Sequence, residues 1–343
     1  MNLLITGGAG FIGSRLANAL LERGRLLGQA IRSVVLADQV APRDAALLAD
    51  ARVQVQVGDL AQQLDALALK RFDGIFHLAS AVSGECEADF DLGLRSNLHA
   101  TQGLLEACRA AGKVPRFVFS SSLAVFGPDP ALPLPAVIRD DTLPTPQSSY
   151  GVQKFVCEQL IADYTRKGYI DGRAVRLMTI SVRPGQPNGA ASSFLSGIIR
   201  EPLAGLPSPC PVGPETPAAL GSPARAVVGL IAAFEASREA FGGRTALNLP
   251  ALTVTVQEML DALAEVGGAE TLSLVKFSPD AAIARLVHGW PARIDSARGQ
   301  RLGLRADASF RAIVLDYVRD HPQAVTNAKA LASAGGGAVA QHP

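Results

Sequence analysis

Cysteine is scarce in this chain of 343 residues. There are four, Cys86, Cys108, Cys157 and Cys210, far apart and with no Cys-x-x-Cys pair. That spacing argues against a disulfide framework or a zinc site, predicts no metal, and suits reduced thiols in the cytoplasm. Charge imbalance is also missing. With 32 basic against 31 acidic residues the net charge is +1, so no global field draws in nucleic acid or an anionic membrane. Long apolar runs are absent: 226–234 is among the longest, well short of the roughly 20 residues of a membrane span. The N-terminus shows no charged leader or cleavage site, because a strand pattern begins at Asn2. What is present is a globular composition, 48% hydrophobic and 18% charged, long enough for one large domain or two intimate ones. The chain reads as a soluble intracellular enzyme.

Short apolar runs rich in β-branched residues predict strands at 2–6, 33–38, 53–57, 74–79 and 116–121. Amphipathic patterns predict helices at 11–23, 103–112 and 152–167. Strand–helix alternation with nearly continuous apolar strands indicates a parallel sheet covered on both faces. The pattern loosens after Arg183. The proline-rich stretch 184–223 predicts loops around a binding cleft. Helices are then expected at 225–236, 256–266 and 310–319, and a strand at 244–249. From Pro322 the chain is rich in Ala and Gly, with no core pattern, which predicts a disordered tail.

Thr6-Gly7-Gly8-Ala9-Gly10-Phe11-Ile12-Gly13 sits where the first strand meets the first helix. Glycines at 7, 10 and 13 allow a tight turn and close backbone approach to a pyrophosphate, with the helix N-terminus facing the phosphates. The spacing is G-x-x-G-x-x-G, and a glycine triplet alone also fits a plain turn. The strand before it, the helix after it and Asp38 at the end of the second strand strengthen the cofactor reading. A carboxylate at 38 can bind the adenosine ribose hydroxyls and repels a 2′-phosphate, which favours NAD over NADP. Asp59, followed by Leu60 at the end of the third strand, is placed to meet the adenine, although aspartates also cap helices there.

Tyr150-Gly151-Val152-Gln153-Lys154 opens a helix, so Tyr150 and Lys154 share a face one turn apart. With four tyrosines and six lysines in the chain, this spacing arises by chance about 0.07 times. A tyrosine is a poor base at neutral pH, and a neighbouring ammonium stabilises its phenolate. Ser120-Ser121-Ser122 ends the fifth strand, where an open parallel sheet puts its active-site residues. A serine hydroxyl there can hold the substrate oxygen for Tyr150, or cap a turn.

The glycine loop, Asp38, Asp59, His77-Leu78-Ala79-Ser80, Asn97, the Ser122 segment and the Tyr150/Lys154 pair occur in the order found in extended short-chain dehydrogenases/reductases, which the chain resembles over about residues 1 to 185. That family includes nucleotide-sugar epimerases and dehydratases. The resemblance implies a Rossmann-type, doubly wound parallel α/β sheet with a smaller, mixed C-terminal substrate-binding lobe. The expected division is an NAD-binding domain of 1–184 with 221–250 and a substrate lobe of 185–220 with 251–321, with 322–343 as tail. It also implies Ser122, Tyr150 and Lys154 as catalytic residues. Gly7, Gly10, Phe11, Ile12, Gly13, Asp38, Asp59, Leu60, Leu78, Ala79, Ser80 and Asn97 would serve NAD together with Tyr150 and Lys154. Asn97 carries either a cofactor or a structural role, and a homodimer packed through the helices at 103–112 and 152–167 is implied.

Arg176 to Asn188, Ser192-Ser193-Phe194, Ser222-Pro223-Ala224-Arg225, Asn248-Leu249-Pro250 and Gly289-Trp290-Pro291 resemble one branch of that family. Its members oxidise the C2 hydroxyl of a four-carbon sugar acid, D-erythronate, to a 2-oxo acid. A small aldonate needs a cationic clamp for its carboxylate, and Arg183, Arg200 and Arg225 are the candidates. Asn188, Ser192 and Ser193 can meet its hydroxyls, with Ser80, Ser122 and Tyr150 at the reacting end. The segment 214–221 is unusually apolar for that branch. If it lines the pocket, the substrate is a less polar hydroxy acid or ketone. The remaining alternatives are a nucleotide-sugar epimerase or dehydratase, and a non-catalytic dinucleotide-responsive regulator.

Overall fold

The computed structural model describes residues 1–186 and 190–335. Its centre is a seven-stranded parallel sheet. The six strands used here are β1 (Asn2–Thr6), β2 (Ser33–Asp38), β3 (Val53–Val57), β4 (Gly74–His77), β5 (Arg116–Ser122) and β6 (Asp171–Leu177). The seventh, Leu247–Asn248, pairs with β6, and the spatial order from that edge is β6, β5, β4, β1, β2, β3. The chain reverses direction across the sheet between β1 and β4, which opens a crevice at the carboxyl ends of those strands.

Period-two alternation explains why both faces are covered. Leu3 and Ile5 point into one apolar cluster with Leu16 and Leu20 of α1 (Phe11–Arg23) and with the helix Pro223–Glu235. Leu4 points into the other, with Leu104 and Leu105 of α2 (Ala100–Ala111) and Ile161 of α3 (Ser149–Arg166). Burying each such leucine contributes about 1.5–3 kcal/mol. The strand β3 lies at the sheet edge, with Val55 and Val57 exposed.

A third apolar cluster builds a second lobe. It joins α4 (Phe194–Leu203), α5 (Val256–Gly267) and α6 (Phe310–Asp320) with a three-stranded sheet of Thr179–Ile180, Pro217–Gly221 and Leu252–Thr255. The 184–223 stretch is therefore not all loop. Leu195, Ile198, Ile199 and Leu203 form a buried helical stripe, masked in the sequence by Pro202 inside the helix. Residues 322–335 are a second correction. They form a 3-10 turn and the helix Ala328–Gly335, with Val325 and Ala330 buried against α5 and α6. Small alanines fit that close packing, and Val325 and Leu331 are the segment's only large apolar residues, too few to mark a core pattern. Residues 294–304, expected in the second lobe, return to the first: Ser296 Oγ donates to the Asn248 carbonyl at 2.5 Å, and Arg298 donates to the carbonyls of Ala246 and Phe241.

Candidate active site

The glycine loop closes tightly over β1. A Cβ on Gly13 would stand 2.1 Å from the Gly7 carbonyl oxygen, so only glycine lets α1 begin this close to the strand. Gly10 caps α1 without any side-chain hydrogen bond. The first N–H groups of the helix are thus left to a ligand, at the positive end of its dipole. At the neighbouring strand end Asp38 Oδ2 accepts from the Ala9 N–H at 2.9 Å, which ties the carboxylate to the loop. A cradle of this shape beside a ribose-height carboxylate fits a dinucleotide.

Asp59 and Leu60 follow β3, beside Asp38, whose carbonyl accepts from the Gly58 N–H at 2.9 Å. Asp59 Oδ1 accepts from the Ala61 N–H at 2.8 Å, the bond of a turn or helix cap.

The second half of the site forms where α3 docks against the end of β5. Ser148 starts the helix by accepting from the Gly151 N–H at 3.1 Å. A Cβ on Gly151 would meet the Ala124 carbonyl oxygen at 2.1 Å, so glycine at 151 brings Tyr150 up to the Ser122 turn. Ser122 Oγ accepts from the Ala124 N–H at 3.1 Å. Lys154 Nζ donates to the Ser120 carbonyl at 2.9 Å and sits 5.5 Å from the Tyr150 ring centre.

A cavity of about 340 Å³ opens here. It is lined by Gly7, Gly10, Phe11, Ile12 and Gly13 from the loop and α1, and by Leu78 and Ser80 beyond β4. Ser122, Tyr150 and Lys154 lie opposite, with Arg183 and Ser192 from the second lobe. Eleven residues expected at the site thus meet at one cavity together with Arg183. Ala79 lies behind this wall, its N–H 2.8 Å from where a Gly7 Cβ would stand.

Burial dominates the titration of the pair. It pushes the Tyr150 phenol up to about 12, against hydrogen bonds to Ser122 and Ser80 and the charge of Arg183, which act the other way. Burial likewise pulls Lys154 down to about 8. Desolvation of the half-buried phenol is the largest of these effects.

Asn97 is a structural node rather than a cavity wall. It lies in a π-helical turn (Leu94–His99) that leads into α2. Its Oδ1 accepts from Ser80 Oγ at 2.9 Å and from the Ala81 N–H at 2.8 Å, and its Nδ2 donates to Gln153 Oε1 at 2.8 Å. It holds the Ser80 loop onto α3. His77 is buried between Thr6 Oγ1 and Thr101 Oγ1, and burial, followed by the charge of Lys154, takes its pKa down to about 3. It is neutral and structural.

Two of the arginine candidates are engaged elsewhere. Arg200 pairs with Glu201 at 2.5 Å and donates to the Arg183 carbonyl at 2.7 Å. Arg225 faces Asp307 at 3.8 Å. Neither lines the cavity. Arg183 does, and its pKa falls to about 10 through burial and then the charge of Arg200. Ser193 precedes α4 and is also outside the cavity wall. Asn188 lies outside the described residues. The apolar segment ending at Gly221 is the strand Pro217–Gly221, with Ala218 and Leu220 in the core of the second lobe and Ala219 in that of the first. Its apolar character is core packing, which removes the argument for a less polar substrate.

Sequence reasoning did not single out Val82, Ser83, Met178, Thr179 or Trp290 as cavity residues, yet all five line it. Trp290 is the only tryptophan in the chain, and that single indole in Gly289-Trp290-Pro291 is the available signal.

Residues 3–219 match the model of the NAD dependent epimerase/dehydratase family. A D-erythronate dehydrogenase of Cupriavidus necator is 49% identical over 328 residues, 93% of this chain and 98% of the relative. A D-erythronate dehydrogenase of Haemophilus influenzae is 43% identical over 320 residues, 93% of this chain and 99% of the relative. Among solved structures, a nucleoside-diphosphate-sugar epimerase from Agrobacterium tumefaciens superposes with a TM-score of 0.87 at 39% identity, covering 94% of this chain and 95% of that one.

Proposed function

The chain belongs to the NAD-dependent epimerase/dehydratase family, and from that premise we propose that it is a D-erythronate dehydrogenase, oxidising the C2 hydroxyl to give the 2-oxo-tetronate. One observation carries the reading: Ser122, Tyr150 and Lys154 share a small cavity with the glycine loop, and the two relatives that align end to end carry that activity in their names. NAD⁺, when bound, supplies the hydride acceptor and a positive ring charge. Ser122 Oγ holds the reacting hydroxyl. Tyr150 Oη, as phenolate, takes the hydroxyl proton as the C2–H leaves with its electron pair, and the C2–O bond becomes a carbonyl. Lys154, against the phenol ring, favours the phenolate by its charge and would also hold the nicotinamide ribose. Asp38 would hold the adenosine ribose and disfavour a 2′-phosphate.

The test is NADH formation with NAD⁺ or NADP⁺ against D- and L-erythronate, the threonates and longer aldonates. Turnover confined to NAD⁺ and D-erythronate is expected. NAD(H) retained by the purified protein with no net NADH release on any acid would move the assignment to an epimerase or dehydratase.

The quaternary reading rests on an exposed strip and the cellular one on the buried cysteines. Val152 and Val156 stand exposed one turn apart on α3, an apolar strip suited to pairing with a second copy as a homodimer. All four cysteines are free and buried, which suits a reducing cytoplasm. Light scattering on the wild type and on Val152→Glu tests the dimer, with a halved mass expected for the variant.

A further inference from the structure

Charge is lopsided in the cavity beside Tyr150. Two cations line it, Lys154 and Arg183, and among the described residues no Asp or Glu does. Lys154 is accounted for by the phenol ring and the Ser120 carbonyl. Arg183 is different. Its Nη2 donates to Ser192 Oγ at 3.3 Å, and no carboxylate among the described residues pairs with it, whereas Arg176, Arg200 and Arg225 each face one.

Its backbone is clamped on both sides. The Arg183 N–H donates to Ser196 Oγ at 3.0 Å, and its carbonyl accepts from Arg200, which Glu201 holds in turn. A half-buried guanidinium with no carboxylate partner among the described residues offers a planar fork to an anion brought in by the ligand.

We propose that Arg183 is the anchor for the substrate carboxylate, and that it makes the site selective for short 2-hydroxy acids over their uncharged counterparts. The proposal rests on the dehydrogenase reading and deepens it. Tyr150 and Arg183 line the same cavity. A ligand that carries both a hydroxyl and a carboxylate can therefore address both. Thr179 and Ser83 offer hydroxyls to the rest of a sugar acid, and Trp290 walls the cavity. The cavity holds about 340 Å³, part of which NAD would fill, so a short acid fits better than a long one.

The experiment compares wild type, Arg183→Met and Arg183→Lys on D-erythronate and on its uncharged amide, D-erythronamide, at saturating NAD⁺. Quenching of Trp290 fluorescence by D-erythronate gives binding independently of turnover. The wild type should favour the acid by roughly 100-fold or more in kcat/KM. Arg183→Met should lose that preference mainly through KM on the acid, with the amide affected only a few-fold. Arg183→Lys should recover part of it, as a point charge without the fork. NADH affinity and unfolding midpoint should stay near wild type, which separates an anchor from a structural residue. Equal losses on acid and amide, or an acid preference that survives in Arg183→Met, would overturn the anchor and leave the dehydrogenase reading standing. Arg183-dependent quenching without NADH formation would keep the anchor and overturn the reaction. Neither quenching nor turnover in the wild type would overturn both.

Discussion

Lys154 and Tyr150 sit one helical turn apart on α3, with the Lys154 Nζ 5.5 Å from the Tyr150 ring centre and 2.9 Å from the Ser120 carbonyl. The ammonium is thus tied to the strand that carries Ser122 while it faces the phenol. If Tyr150 is the base, Tyr150→Phe should lower kcat by about 100- to 10,000-fold. NADH binding should be unchanged, because the phenylalanine ring fills the same space. Steady-state kinetics with NADH fluorescence titration decide it, and a near-normal kcat would remove Tyr150 from the proposed role.

Burial of Lys154 has a consequence for stability against pH. Its folded pKa of about 8 lies below the ordinary 10.5, so between those values the unfolded chain binds more protons than the folded one. Stability from this group therefore rises with pH across that window, and its cost is fully present below about 8. Lys154→Met should be more stable than wild type near neutral pH, with the gap closing toward the upper end of the window. Thermal unfolding of both proteins across that range checks the sign.

Asp38 is bonded to the Ala9 N–H of the glycine loop, and in the proposed role it also selects the cofactor. Asp38→Asn can keep an acceptor at that N–H while removing the charge. The Michaelis constant for NAD⁺ should rise by about tenfold or more, as expected on losing a charge-assisted bond. Discrimination against NADP⁺ should shrink. Parallel kinetics with both cofactors test this, and an unchanged NAD⁺/NADP⁺ ratio would leave Asp38 as a loop anchor only.

Behind the proposed catalytic residues, Glu158 of α3 accepts from Arg176 of β6 at 2.7 and 2.9 Å and from Ser121 Oγ at 2.5 Å, all buried. Glu158→Ala should destabilise the protein by about 3–5 kcal/mol, because it strands a buried guanidinium. Glu158→Leu combined with Arg176→Met should recover most of that loss. Urea unfolding of the single and double variants measures the coupling.

The parts of the proposed site legible in the sequence are those whose geometry is local. The glycine loop, Asp38 at a strand end, Ser122 at another and the i, i+4 pair Tyr150/Lys154 depend on spacing along one turn, strand or helix. Backbone geometry sets such relationships before any long-range contact forms. Six of the seven strands of the main sheet are readable from such local runs, whereas Asp171–Leu177, interrupted by Arg173 and Arg176, is not.

What tertiary structure decided is which partner each remaining side chain meets. Arg183, Arg200 and Arg225 are equivalent as letters. Arg200 has Glu201 beside it in the sequence, but only the fold gives Arg225 to Asp307 and leaves Arg183 at the cavity. Asn97 reads as a cofactor residue or a structural one until Ser80, Ala81 and Gln153 are seen around it. The strand Pro217–Gly221 reads as a pocket wall until it pairs with Leu252–Thr255 and Thr179–Ile180. Trp290 reaches the cavity from far along the chain. These outcomes turn on contacts between residues distant in sequence, where a charge or an apolar run looks the same whether it faces a ligand, a counter-ion or the core.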